Sequence, residues 1–175
     1  MHKGSCLCGE IEFAVEGPPN DVINCHCNFC QRATGSAYLV ETMFDREKFK
    51  ILRGSPCIYD HISEGSGKTI HVHFCGNCGT KTHMLFERFP KSVGVFSGTF
   101  DEKDWFERTT ENALHFFLST APKGTVLPAG FEIYDAHYWH SEGVAAEPQI
   151  FGTNVEVTDD LKAQSQKRLR KPTYE

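Results

Sequence analysis

The sequence predicts a mainly β domain. Three observations predict it: short runs in which apolar and polar residues alternate, Gly/Pro/Asn/Asp punctuation between them, and almost no helical periodicity before residue 158. Alternation with a period of two places successive side chains on opposite faces, so one face of each run can be buried. Many short strands with little helix belong to a mainly β architecture. The domain is expected over residues 1–157, followed by a C-terminal tail, 158–175, that is helical or loosely attached.

Glu10-Ile11-Glu12-Phe13-Ala14-Val15-Glu16 alternates as a half-buried strand does, and Gly17-Pro18-Pro19-Asn20-Asp21 stops it. Val22-Ile23-Asn24-Cys25 leads into a cluster of cysteines, and Ala37-Tyr38-Leu39-Val40 follows as another strand. Phe44 to Leu52 fits a strand pair or one short helical turn. Lys68-Thr69-Ile70-His71-Val72-His73-Phe74 alternates again and delivers Cys75. Thr82 to Phe86, Val93 to Phe96, Leu114 to Leu118 and Phe131 to Tyr134 continue the pattern, and Asp101 to Asp104 reads as a turn. Thr158 to Arg170 is the one helical stretch, with Thr158 as N-cap and Asp159 and Asp160 complementing the helix dipole. Its few apolar residues predict a weak docking face.

The 175 residues are enough for a sizeable core. A formal net charge of -5 argues against nucleic acid as a main partner, because phosphate binding relies on clustered Lys and Arg. The basic run Lys167-Arg168-Leu169-Arg170-Lys171 reads as a solvated tail. Charges or Gly/Pro interrupt every apolar stretch, so neither a signal peptide nor a membrane span is expected. A cytoplasmic, reducing setting follows, in which eight cysteines favour metal over disulfides.

Those cysteines form three groups and one singleton: Cys6-Leu7-Cys8, Cys25-His26-Cys27-Asn28-Phe29-Cys30, Cys75-Gly76-Asn77-Cys78, and Cys57. A tetrahedral zinc holds sulfur about 2.3 Å away, so its sulfurs stand roughly 3.8 Å apart. Cys-x-x-Cys reaches that spacing when the chain curls, which Gly76 and Gly79 favour. Cys-x-Cys reaches it because residues i and i+2 share one face of a strand. Cys6, Cys8, Cys75 and Cys78 therefore suit a closed structural zinc, and Cys25, Cys27 and Cys30 suit a three-ligand catalytic zinc with an open position. For the trio two alternatives stand beside this: a second structural zinc with His26 as fourth ligand, and an iron–sulfur cluster. Cys57 reads as a small buried residue at a strand edge.

Taken together, Gly4-Ser5-Cys6-Leu7-Cys8-Gly9, Cys25-His26-Cys27-Asn28-Phe29-Cys30-Gln31-Arg32-Ala33-Thr34-Gly35 and Phe74-Cys75-Gly76-Asn77-Cys78-Gly79 resemble the glutathione-dependent formaldehyde-activating enzyme (centromere protein V) family over residues 4 to 100. The resemblance implies a β-tent fold of stacked antiparallel sheets. It implies two zinc ions, a structural one on Cys6, Cys8, Cys75 and Cys78 and a catalytic one on Cys25, Cys27 and Cys30. The activity implied is a carbon–sulfur lyase reaction, the formation of S-(hydroxymethyl)glutathione from glutathione and formaldehyde. Ala136-His137-Tyr138-Trp139-His140 matches no signature of that family.

Zinc is redox-inert, and no Gly-x-Gly-x-x-Gly fingerprint offers a dinucleotide site. A three-thiolate zinc is expected to take a substrate thiol such as glutathione as its fourth ligand and deprotonate it for attack on a small carbonyl. Arg32 and Lys81 are candidates for the substrate's carboxylates, or plain surface charge. His71, His73 and His83 are candidate hydrogen-bonding or acid/base groups, or ordinary strand histidines. Trp105, Phe106, Phe116 and Phe117 read as core. The competing functions are a non-catalytic zinc module that binds a protein partner, and the same chemistry on a different thiol.

Overall fold

The computed structural model describes residues 1–138 and 145–170. Trp139, His140 and Lys171 lie outside the described residues. The strands are β1 (His2–Ser5), β2 (Glu12–Val15), β3 (Asp21–Cys25), β4 (Leu39–Asp45), β5 (Phe49–Arg53), β6 (Cys57–Ile62), β7 (Thr69–Phe74), β8 (Lys81–Phe86), β9 (Ser92–Phe96), β10 (Ala113–Phe116), β11 (Val126–Leu127), β12 (Glu132–Ile133) and β13 (Val155–Glu156). Two α-helices join them, α1 (Asn28–Thr34) and α2 (Asp159–Leu169), with 3-10 turns at Arg46–Lys48, Ser97–Thr99 and Leu118–Thr120. The protein is mainly β, as the alternation predicts.

The chain forms two compact units. One holds Met1–Val22 and Val40–Glu107, the other Ile23–Leu39 and Arg108–Glu175, so the backbone passes from one to the other within β3 and returns at the start of β4. In the first unit, β1, β2 and β5 form an antiparallel sheet, and β4, β9, β8, β7 and β6 lie side by side in that order, also antiparallel. Its core gathers the inward residues of these strands: Phe13 and Val15 of β2, Phe44 of β4, Val93 and Val95 of β9, and Phe100, with Phe49, Leu85 and Trp105 packed against them. Each large apolar side chain buried this way contributes roughly 1.5–3 kcal/mol.

In the second unit β10 lies between β12, to which it runs parallel, and β3. β11 pairs with β13. Leu118, Ala121, Leu127, Ile133 and Val157 make its core, flanked by Phe151 and by Leu161 of α2.

Several expectations change. Phe44 to Leu52 is neither alternative alone: it contains the end of β4, the 3-10 turn and most of β5. The central cysteine segment is extended as far as Cys27 and helical from Asn28, where α1 starts. The periodicity of α1 is invisible because it is two turns long and capped by Cys27, whose sulfur accepts from the Cys30 N–H at 3.3 Å. Its end is legible, since Gly35 takes the left-handed conformation (φ 68) that closes such helices. α2 has the expected Thr158 cap but docks more firmly than its composition predicts. Leu161 enters the core cluster, Gln166 donates to the Ser119 carbonyl, and Arg168 grips the Asp135 carboxylate at 2.6 and 2.8 Å. Polar contacts replace the apolar stripe that the sequence lacks. Cys57 is exposed rather than buried, because it opens β6, which among the described residues pairs only with β7.

Candidate metal centres

Both cysteine groups assemble, each within one unit. Cys6, Cys8, Cys75 and Cys78 bring their sulfurs within 4.8 Å of one another in the first unit. The Cys6–Cys8 and Cys8–Cys75 separations are 3.5 and 3.7 Å. Two reverse turns make this possible. Gly9 N–H donates to the Cys6 carbonyl at 3.0 Å, and Gly79 N–H to the Cys75 carbonyl at 2.9 Å, with both glycines at positive φ (72 and 74). Gly76 serves differently: a Cβ there would stand 3.0 Å from the Cys57 sulfur. Backbone and hydroxyl donors face the thiols. Ile11 N–H donates to Cys6 at 3.3 Å, and the Thr80 hydroxyl lies 3.2 Å from Cys78. The contacts with Thr80, side chain first and then backbone, hold the Cys78 thiol down to about 5. A group poised to lose its proton is what metal ligation needs.

Cys25, Cys27 and Cys30 converge within the same 4.8 Å in the second unit. Cys25 ends β3, Cys27 caps α1, and Cys30 lies on the first turn of that helix. Cys25 and Cys30 are buried and Cys27 is half-exposed. Hydrogen bonds from Cys25 and Cys30, followed by the Cys30 and Phe29 amides, hold the Cys27 thiol far below its ordinary value. The same sharing raises Cys25 and Cys30. The trio thus favours one thiolate, at its accessible member, and a bound metal would deprotonate the other two.

Among the described residues these are the two groups of three or more His, Cys, Asp or Glu side chains whose ligand atoms meet in this way, and each can hold a metal ion. His26 does not join the trio. It is fully buried, its Nε2 lies 3.1 Å from His115 Nδ1, and burial lowers both rings to about 4. That pair was not legible in the sequence, because His115 is 89 residues away.

The other candidates scatter. Arg32 is exposed on α1 in the second unit, whereas Lys81 is half-buried at the start of β8 in the first. His73 and His83 stack at 4.2 Å, and His71 Nδ1 meets Asp60 Oδ1 at 2.7 Å, so the three histidines hold strand partners and join neither cysteine group. Trp105 packs on the core, Phe116 is buried, and Phe106 and Phe117 are half-buried. Among the described residues no helix is long and apolar enough to cross a membrane.

Comparison with known proteins adds two findings. A family model described as glutathione-dependent formaldehyde-activating enzyme matches residues 1–120. A crystal structure of a Rhodobacter sphaeroides protein is similar at 25% identity, over 57% of this chain and 87% of that one, with a TM-score of 0.47.

Proposed function

The chain belongs to the glutathione-dependent formaldehyde-activating enzyme family, and from that premise we propose that it is a zinc-dependent carbon–sulfur lyase acting between a small thiol and a small carbonyl. The observation that carries the proposal is the contrast between the two cysteine groups: four sulfurs converge in one and three in the other. Both fit zinc by donor chemistry, since all ligands are soft thiols, and the 3.5 and 3.7 Å separations in the quartet lie close to the roughly 3.8 Å of a tetrahedral zinc–thiolate site. Cys6, Cys8, Cys75 and Cys78 would hold a structural ion, and Cys25, Cys27 and Cys30 an ion with one free position. When bound there, zinc supplies a thiophilic centre at which a further thiol loses its proton at neutral pH.

The reaction is redox-neutral. A carbon–sulfur bond forms between thiol sulfur and carbonyl carbon, the thiol proton ends on the carbonyl oxygen, and the reverse breaks that bond. The protein's own contribution is to keep the fourth position free. His26 is turned away to His115, so among the described residues no imidazole joins the trio. In this reading a substrate would approach past Cys27, the half-exposed member of the trio. Glutathione is the substrate we propose, on family membership.

The test is metal stoichiometry with a thiol titration, using cobalt as the spectroscopic substitute. Wild type should bind two ions and change its spectrum when glutathione is added. Cys27→Ser should bind one, keep its fold and lose the thiol response. One ion per wild-type chain, or a spectrum indifferent to every thiol tried, would refute the enzyme reading. It would favour a zinc module that binds a protein, a reading to which the exposed Ile58, Tyr59 and Ile62 of β6 lend support.

A further inference from the structure

All three cysteines of the trio hang on one elbow. β3 ends at Cys25, α1 begins at Asn28 with Cys27 as its cap, and His26 alone joins them. The backbone of His26 therefore sets how the sulfurs on either side converge. That backbone is held from both ends. Its N–H donates to the Phe116 carbonyl at 3.0 Å. Its carbonyl accepts from Gln31 Nε2 at 2.6 Å and from the Thr120 hydroxyl at 3.0 Å. Gln31 Nε2 also donates to the Thr120 carbonyl at 3.0 Å, so the two clamping side chains are tied to each other.

The placement of Thr120 carries a conformational cost. Phe117 is the one non-glycine residue at positive φ among those described (φ 63, ψ 50), and it opens the 3-10 turn Leu118–Thr120. Bulky residues avoid that region, and such outliers concentrate where a backbone must aim a functional group. Here the turn aims Thr120 at the His26 carbonyl. α2 supports it from behind, through Gln166 to the Ser119 carbonyl and Arg168 to Asp135, whose own carbonyl accepts from Ser119 N–H at 3.2 Å. α2 lies beyond the residues that the family model matches.

We propose that Gln31 and Thr120 are positioning residues for the metal-binding trio, acting through the His26 carbonyl to hold Cys25 and Cys27 at ligating geometry. The proposal rests on the reading of the trio as a metal site and deepens it. Groups that orient metal ligands without touching the metal commonly account for about 10–100-fold in affinity.

The test is cobalt affinity, measured by chelator competition on the full chain and followed by the sulfur-to-cobalt charge-transfer bands, for Gln31→Leu, Thr120→Val and Thr120→Ser. The quartet serves as an internal control. Gln31→Leu and Thr120→Val should each weaken the trio about tenfold or more and shift its bands, with quartet affinity unchanged. Thr120→Ser keeps the hydroxyl and should stay near wild type. If Gln31→Leu fails to fold, the Thr120 pair decides alone. Unchanged trio affinity in a folded variant, or equal weakening of both sites, would overturn the proposal while leaving the metal reading intact. A wild type that binds only one cobalt would remove both.

Discussion

Gly4 shows how much a single residue without a side chain can control. It lies on β1, two residues before Cys6, and a Cβ there would sit 2.3 Å from the Phe13 ring and 2.6 Å from the Thr99 carbonyl. Backbone and a fully buried ring cannot both give way. Gly4→Ala should therefore lower stability by about 1–3 kcal/mol, as overpacking does, readable as a fall in the urea midpoint. Quartet metal affinity should drop alongside, because β1 leads directly into Cys6. A second residue, His83, adds to the acid sensitivity that buried His26 and His115 also bring. Burial, then the neighbouring His73 and Arg46, push its ring down to about 3 from an ordinary 6.5. Above pH 6.5 the ring is neutral whether folded or unfolded, so it costs nothing. Below 6.5 the unfolded chain takes up a proton that the native state refuses, and stability falls progressively towards pH 3. His83→Phe, which keeps a ring against His73 and Phe49, should flatten the loss between pH 6.5 and 4. An unchanged slope in urea denaturation across that range would assign the acid sensitivity elsewhere.

At the scale of the element, α2 is held by few contacts but well-formed ones. Its first turn carries Asp159 in an ion pair with Lys123, and its last turn carries Arg168, bidentate on an Asp135 that is 15% exposed. A planar fork on a carboxylate is the strong form of such a pair. Arg168→Ala should cost about 0.5–1.5 kcal/mol, and Arg168→Lys should recover only part of it. Amide exchange should report faster opening of α2 and of Leu118–Thr120 together, because Gln166 ties the two. Exchange confined to α2 would show that the 3-10 turn does not depend on the helix. β6 is the opposite kind of element, an edge with Ile58, Tyr59 and Ile62 more than half exposed. Asp60 at its centre and Pro56 just before it oppose edge-to-edge pairing with other chains.

At the scale of the whole molecule, the two cysteine groups should contribute unequally to stability. The quartet ties Cys6 and Cys8 to residues about seventy positions later, all inside one unit, whereas the trio spans six residues. Metal that binds only the folded state stabilises it by mass action, and closing a long loop restricts the unfolded chain most. Chelation or Cys75→Ser should thus lower the melting temperature by well over 5 °C. Cys27→Ser should lower it little while abolishing the proposed thiol response. Equal losses would argue that both ions are structural.

By itself the sequence determined the two cysteine groups and the strand-rich class. Cysteine spacing is local, so Cys6-Leu7-Cys8 and Cys75-Gly76-Asn77-Cys78 announce their geometry within a few residues, and alternation such as that of Thr69 to Phe74 announces a strand. The cap of α2 was legible for the same reason. What tertiary structure alone decided involves partners far apart in the chain. Examples are the meeting of His26 with His115, the clamp of Thr120 on the His26 carbonyl, the docking of α2 through Arg168, and the exposure of Cys57 on an edge strand. The helix α1 belongs with these, because a seven-residue helix is held by packing and by its Cys27 cap rather than by propensity. Local patterns report which faces a segment can bury, and only the packed chain decides which distant group meets each face.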